Sequence, residues 1–173
     1  MAGRTILRFP DPRLRQAAVE VEVFDAALAA LARDLLETMR AAGGIGITAP
    51  HIGVAQRLVV LELPPGNAVR IYVNAQIIWA SPETIRAEEG SVAMPGVSEE
   101  IERPARVRVR YQDLAGEERI EEADGLLAVC LQHEIDQLDG LFWIYRLSRL
   151  RRDRLVKRYG KASPVTEAKV RAY

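Results

Sequence analysis

Cysteine and histidine are scarce in this chain, which has 173 residues but only one cysteine and two histidines. A single cysteine, Cys130, cannot form an internal disulfide, and its isolation is typical of proteins from a reducing compartment. Long apolar runs are also absent, because no stretch approaches the ~18–20 apolar residues of a membrane-spanning helix. The N-terminus has no signal-peptide core. We therefore expect no membrane partner and a cytoplasmic location.

Lysine is missing from the first 145 residues, and this absence reveals an uneven distribution of charge. That part of the chain carries 14 arginines against 22 acidic residues, a net charge of −8, whereas residues 146–161 carry eight basic side chains against Asp153. A basic helical tail can contact nucleic acid or another anionic surface, and it can equally be a solvated helix face. The sequence leaves both interpretations open.

Length and hydrophobic periodicity predict one α+β domain over residues 1–173. The 49% hydrophobic content is enough for a sizeable core. Helices are predicted over residues 25–42, 124–140 and from about 147 onward, where the basic helix and tail begin. Strands are predicted over residues 57–63, 71–73, 76–79, 106–111 and 117–122, with a turn at 64–67. The expected fold therefore has short antiparallel sheets around a central helix, with further helices on its N-terminal and C-terminal sides.

The second predicted helix carries the most informative residues, Gln132-His133-Glu134 followed by Gln137. A metal-hydrolase helix places two histidines at i and i+4 on one face, with a glutamate beside the first as general base. Here Gln137 occupies the second histidine position, and its amide oxygen is a weak neutral ligand. Glu134 is costly in an apolar helix unless it is paired or functional. The pattern therefore indicates a functional site with an altered ligand set.

Two loops upstream of that helix add to the candidate site. Residues 44–53 are apolar and punctuated by glycine, and they lack the lysine of a phosphate-binding loop. They suit close approach to an extended peptide better than the binding of phosphate. Residues 89–96, Glu-Gly-Ser-Val-Ala-Met-Pro-Gly, predict a second tight loop between strands.

These three segments, in this order and at these separations, resemble the peptide deformylase family. The family motifs read G-x-G-x-A-A-P-Q, E-G-C-L-S and Q-H-E with a second histidine, and the resemblance covers roughly residues 5–160. The matching positions are Gly44, Gly46, Ala49, Pro50, Glu89, Gly90, Gln132, His133 and Glu134. Other landmarks lie at residues 9–15, 34–39, 103–104, 125–127 and 146–148. The resemblance implies the deformylase fold and hydrolysis of the N-formyl group from the N-terminal methionine of nascent peptides.

The resemblance also implies a role for each residue of the site. In the family a cysteine and two histidines bind Fe²⁺ or Zn²⁺, and the corresponding positions here are Ser91, His133 and Gln137. Because two of these three ligands are replaced, we expect no bound metal cofactor and no ordinary metal-dependent hydrolysis.

Proton transfer, oxyanion stabilisation and peptide binding follow from the same comparison. Glu134 is the expected general acid or base. His51 replaces the glutamine that stabilises the oxyanion, together with the backbone N–H of Val92. Ile45, Gly46 and Gly90, with Val92, are expected to hold an N-terminal peptide. The basic C-terminal helix suggests contact with the ribosome, as in the family.

Three alternatives remain open for the altered site. Either His51 or Cys130 could supply a substitute metal ligand beside His133. Without a metal, Ser91 could act as a nucleophile with His133 as its base. The simplest alternative is that Ser91, His133 and Gln137 hydrogen-bond to one another. The protein would then be an inactive binder of peptides or a ribosome-associated relative.

Overall fold

Two antiparallel sheets and three α-helices form the structure, a computed structural model that describes residues 3–64 and 68–162. The strands are β1 Gly46–Thr48, β2 Leu58–Glu62, β3 Val69–Ala80, β4 Thr84–Ser91, β5 Met94–Pro104, β6 Arg106–Gln112 and β7 Glu118–Asp124. Five of them form one sheet in the order β1-β2-β3-β6-β7, and β4 pairs with β5 in a separate hairpin. The α+β fold class is confirmed, and β1 lies at an edge of the larger sheet.

Three α-helices accompany the sheets: α1 Ala26–Ala41, α2 Gly125–Leu138 and α3 Arg149–Ala162. Asp25 caps α1, because its carboxylate accepts hydrogen bonds from the backbone N–H groups of Ala27 and Leu28 at 2.9 and 3.0 Å. Gly43 follows the helix with φ of 69°, a left-handed conformation that favours glycine. No helix in the described ranges is long and apolar enough to cross a membrane.

The central helix α2 packs against the larger sheet and so fixes the position of the candidate site. Leu131, Ile135 and Leu138 of α2 are buried in one cluster with Val59 and Val107 of the sheet. These side chains recur at the i, i+4, i+7 spacing of one helix face. Their burial leaves His133, on another face of α2, directed towards the β4–β5 hairpin.

Two predictions about the strands were wrong in detail. Residues 71–73 and 76–79 belong to one strand, β3, which has a register shift between Val73 and Gln76. Asn74 lies there at φ of 55°, and its side-chain oxygen accepts a hydrogen bond from the Val21 N–H at 2.8 Å. The bulge interrupts the strand pattern in the sequence, so one continuous strand was predicted as two.

The predicted loop at 89–96 is instead the end of β4, a short turn and the start of β5. The predicted turn at 64–67 lies mostly outside the described residues.

The basic helix α3 is attached to the β4–β5 hairpin by two of its arginines. Arg151 and Arg158 form ion pairs with Glu99 at 2.7 and 3.1 Å. Leu155 and Tyr159 are the buried side chains of this helix. Part of the basic charge of this segment is therefore neutralised within the protein, and the predicted tail beyond residue 162 lies outside the described residues.

Candidate functional site

A cavity of about 530 Å³ lies between β1, the end of β4 and α2. Its wall includes these residues of the predicted site: Ile45, Gly46, His51, Gly90, Ser91, Val92, His133 and Glu134. Cys130 and Arg8 also contribute to the wall. The structure thus brings together all but one of the predicted site residues. The exception is Gln137, which does not line this cavity in the part of the chain that the structure describes.

Glu134 lies deep in the cavity against the backbone of β1. The residue is only 5% exposed, and its Oε2 atom has no hydrogen-bond partner among the described residues. Burial disfavours the charged carboxylate and raises the pKa of Glu134 to about 7. An unpartnered carboxyl in this position can accept a hydrogen bond from a ligand N–H or exchange a proton near neutral pH.

Gly46 permits the close approach of Glu134 to β1. A Cβ atom at Gly46 would lie 2.5 Å from Glu134 Oε1 and 2.8 Å from a methyl group of Leu61. We expect Gly46→Ala to displace Glu134, to abolish ligand binding in the cavity and to lower the free energy of unfolding by about 1–3 kcal/mol. Urea denaturation measures the change in the free energy of unfolding.

The matched control for Gly46→Ala is Gly160→Ala. Gly160 lies in α3, where nothing lies within 4 Å of an added Cβ. This substitution should raise the free energy of unfolding, by about 0.5–1 kcal/mol, because alanine favours the helix. Equal effects of the two substitutions would show that the space beside Gly46 is not restricted.

His51 is held in one tautomer by the turn that follows β1. The Thr48 backbone N–H donates to His51 Nδ1 at 3.1 Å, so Nδ1 is unprotonated and Nε2 carries the proton. Burial and the nearby charge of His133 lower the pKa of His51 to about 3, which keeps the ring neutral. Its Nε2 has no partner among the described residues. His51 therefore presents a hydrogen-bond donor to the cavity, and this tautomer does not suit metal ligation through Nε2.

His133 is oriented by a buried network of charged side chains. Its Nδ1 lies 2.8 Å from Glu89 Oε2, and Arg103 binds the same carboxylate through two hydrogen bonds. Arg103 also contacts Asp136 at 2.9 Å, and Arg146 binds Asp136 in turn. Burial alone would raise the pKa of Glu89, but the hydrogen bonds from His133 and Arg103 lower it to about 2. Because Nδ1 of His133 is hydrogen-bonded to Glu89, the other ring nitrogen, Nε2, is the one that can contact a ligand.

The expectation that Ser91, His133 and Gln137 hydrogen-bond to one another was wrong. Ser91 Oγ accepts from the Ala93 backbone N–H at 3.1 Å. Gln137 Nε2 donates to the Leu14 backbone carbonyl at 2.7 Å. Each side chain therefore finds its partner in a neighbouring backbone segment. The segment around Leu14 is 123 residues away in sequence, so no local pattern could have predicted that bond.

The residues present do not fit an ion of zinc or iron. Within residues 3–64 and 68–162, no group of three His, Cys, Asp or Glu side chains is arranged to hold a metal. The positions that the resemblance assigns to the metal offer one imidazole, one neutral hydroxyl and one amide that is engaged with Leu14. Cys130 lines the cavity as a buried thiol whose pKa burial raises to about 12, so ligation through its thiolate would have to overcome this cost of deprotonation.

Sequence and structure comparisons agree on the relationships of this chain. A peptide deformylase-like protein from Brucella melitensis is 65% identical over 161 residues, which cover 93% of this chain and 98% of the relative. A peptide deformylase from Phenylobacterium zucineum is 46% identical over 164 residues, with 93% of this chain and 97% of the relative covered. The crystal structure of a peptide deformylase from Legionella pneumophila has a TM-score of 0.89 at 36% identity and covers 97% of this chain and 99% of that chain.

The family assignment rests on the same segments that build the cavity. A sequence model described as polypeptide deformylase matches residues 3–153, which include β1, the β4–β5 hairpin and all of α2. The resemblance predicted from the three motifs is therefore confirmed over most of the chain, and this protein belongs to the polypeptide deformylase family.

Proposed function

We propose that this protein binds the N-terminus of an extended peptide, including a formylated one, without metal-dependent hydrolysis of the formyl group. The observation that carries this proposal is the position of Gln137, which donates to the Leu14 carbonyl and, among the described residues, does not line the cavity. With Ser91 bonded to the Ala93 N–H, neither substituted position supplies a strong metal ligand. A cytoplasmic location is part of this proposal.

The edge of β1 supports peptide binding. Among the described residues β1 pairs with β2 alone, so its other edge is unpaired, and Ile45 and Gly46 line the cavity together with Gly90. An extended peptide can add to such an edge as a further strand, with backbone hydrogen bonds giving affinity. The glycines on both sides leave room for a second backbone.

Polar groups at the base of the cavity match the end of such a peptide. The Nε2–H of His51 can donate to a formyl or peptide carbonyl, and the backbone N–H of Val92 is predicted to join it. Glu134 can accept from the adjacent peptide N–H. His51 Nε2 and Glu134 Oε2 both lack partners among the described residues. A bound amide would satisfy both of these buried groups at once.

A serine amidase mechanism is less well supported. Ser91 Oγ is bonded to the Ala93 N–H, and the described residues show no hydrogen bond between Ser91 and His133. A serine nucleophile requires a base within hydrogen-bond reach. Ser91→Ala should therefore leave peptide binding largely unchanged.

The test is calorimetric binding of a formyl-methionyl tripeptide, together with an assay for formate. We expect saturable binding and no formate above background with Fe²⁺, with Zn²⁺ or with a chelator. Formate release that the chelator abolishes would contradict the proposal and restore a metal mechanism. Release that resists the chelator but is lost in Ser91→Ala would establish the serine mechanism instead.

We also propose that the exposed cations of α3 contact the ribosome. Arg151 and Arg158 are engaged with Glu99, whereas Arg149, Arg154 and Lys161 are exposed on the helix, with Arg149 in a long, solvent-exposed ion pair with Asp153 at 3.9 Å. Basic side chains on one helix can bind the phosphates of RNA with a strong dependence on salt. Sedimentation with ribosomes should be lost when these three residues are changed to glutamate, and unchanged sedimentation would contradict the idea.

A further inference from the structure

Arg8 contributes a guanidinium to the wall of the cavity, and its charge is not neutralised there. Its hydrogen bond goes to the backbone carbonyl of Val92. Among the described residues no carboxylate forms an ion pair with it. A guanidinium has five N–H donors, so donors remain after the bond to Val92. Sequence reasoning did not identify Arg8, because Val92 is 84 positions away and no motif includes both residues.

Three acidic residues line the same cavity, and none forms an ion pair with Arg8 among the described residues. Glu89 is bound by Arg103 and His133, whereas Glu88 is exposed, accepts a hydrogen bond from the Ser98 hydroxyl and keeps its negative charge. Glu134 is buried against β1, whereas Arg8 is exposed. The cavity therefore combines an exposed cation with a buried carboxyl group whose Oε2 has no hydrogen-bond partner among the described residues.

We propose that Arg8 binds a carboxylate of a short peptide whose N-terminus lies at His51 and Glu134. This inference rests on the proposed peptide-binding function and specifies the ligand class. Guanidinium and carboxylate form charge-assisted, bidentate hydrogen bonds. A cavity of about 530 Å³ is within the range for small ligands, which suits a di- or tripeptide with both ends bound.

The carboxylate has two sources that share this chemistry, the C-terminus of the peptide and an acidic side chain at its second residue. Three ligands separate them in calorimetry: formyl-Met-Ala with a free carboxylate, formyl-Met-Ala amide and formyl-Met-Glu amide. At least one of the two carboxylate ligands should bind about tenfold or more tightly than formyl-Met-Ala amide. Whichever ligand shows the gain identifies the source.

Variants of Arg8 distinguish recognition from a structural role. Arg8→Gln should remove the preference for the carboxylate and leave affinity for formyl-Met-Ala amide within about threefold, whereas Arg8→Lys should retain part of the preference. Arg33→Gln, at an exposed position of α1, serves as the matched control and should change neither affinity.

Three results would overturn the inference. Equal binding of all three ligands to the unaltered protein would show that Arg8 does not read a carboxylate, and the proposed function would remain. An equal loss for carboxylate and amide ligands in Arg8→Gln would show that Arg8 acts only through the Val92 carbonyl. If no ligand binds, the proposed function fails, and this inference fails with it.

Discussion

Combined replacement of Ser91 by cysteine and Gln137 by histidine should create a site that binds one Zn²⁺ or Fe²⁺ per chain and releases formate from formyl-methionyl peptides. Metal-binding histidines usually donate their second ring N–H to a carboxylate or a backbone carbonyl, which fixes the ring. Both acceptors are already present. Glu89 lies 2.8 Å from His133 Nδ1, and the Leu14 carbonyl accepts from Gln137 at 2.7 Å. An introduced imidazole at position 137 can therefore keep the Leu14 bond through one nitrogen and present the other to a metal.

Single replacements are the control for this gain of function. Ser91→Cys alone and Gln137→His alone each leave one weak ligand, so both should bind metal much more weakly than the double variant. Metal content by mass spectrometry and formate release with and without a chelator are the measurements. The double variant should also be made with Cys130→Ser, which excludes that thiol as a ligand. A double variant without stoichiometric metal would show that the arrangement around positions 91 and 137 has diverged along with the ligands.

Replacement of Arg103 by methionine should lower the free energy of unfolding by about 3–5 kcal/mol. The side chains of Arg103 and Glu89 are both only 3% exposed, and Arg103 bonds to both Glu89 and Asp136. Removal of the guanidinium leaves Glu89 charged and buried with His133 as its one remaining side-chain partner among the described residues. The same change should weaken peptide binding, because Arg103 no longer holds Glu89, the carboxylate that orients His133.

Arg108→Met provides the matched control for Arg103→Met. Arg108 forms an ion pair with Glu122 at 2.6 Å, but the two side chains are 44% and 73% exposed. An exposed pair of this kind contributes less than about 1 kcal/mol. Urea denaturation of both variants measures the difference. Similar losses for the two variants would contradict the importance of the buried network around Glu89.

Local patterns of the sequence were sufficient to predict much of the fold. Hydrophobic periodicity predicted a helix over residues 25–42, where α1 lies, and a strand over residues 106–111, where β6 lies, because this signal acts within a few residues. The bulge at Asn74 could not be predicted. Its conformation depends on a bond to Val21, 53 positions away.

For the site, the sequence by itself determined which residue types are available and the family to which they belong. It placed Ser91 and Gln137 at the altered ligand positions and His51 beside them. Only the tertiary structure decided what these side chains do. The Thr48 N–H fixes the tautomer of His51, the Leu14 carbonyl holds the Gln137 amide, and Arg8 reaches the cavity from the N-terminal segment. The last two contacts join segments far apart in the chain, and the proton position in the first depends on a single backbone hydrogen bond, so these features emerge only when the chain is folded.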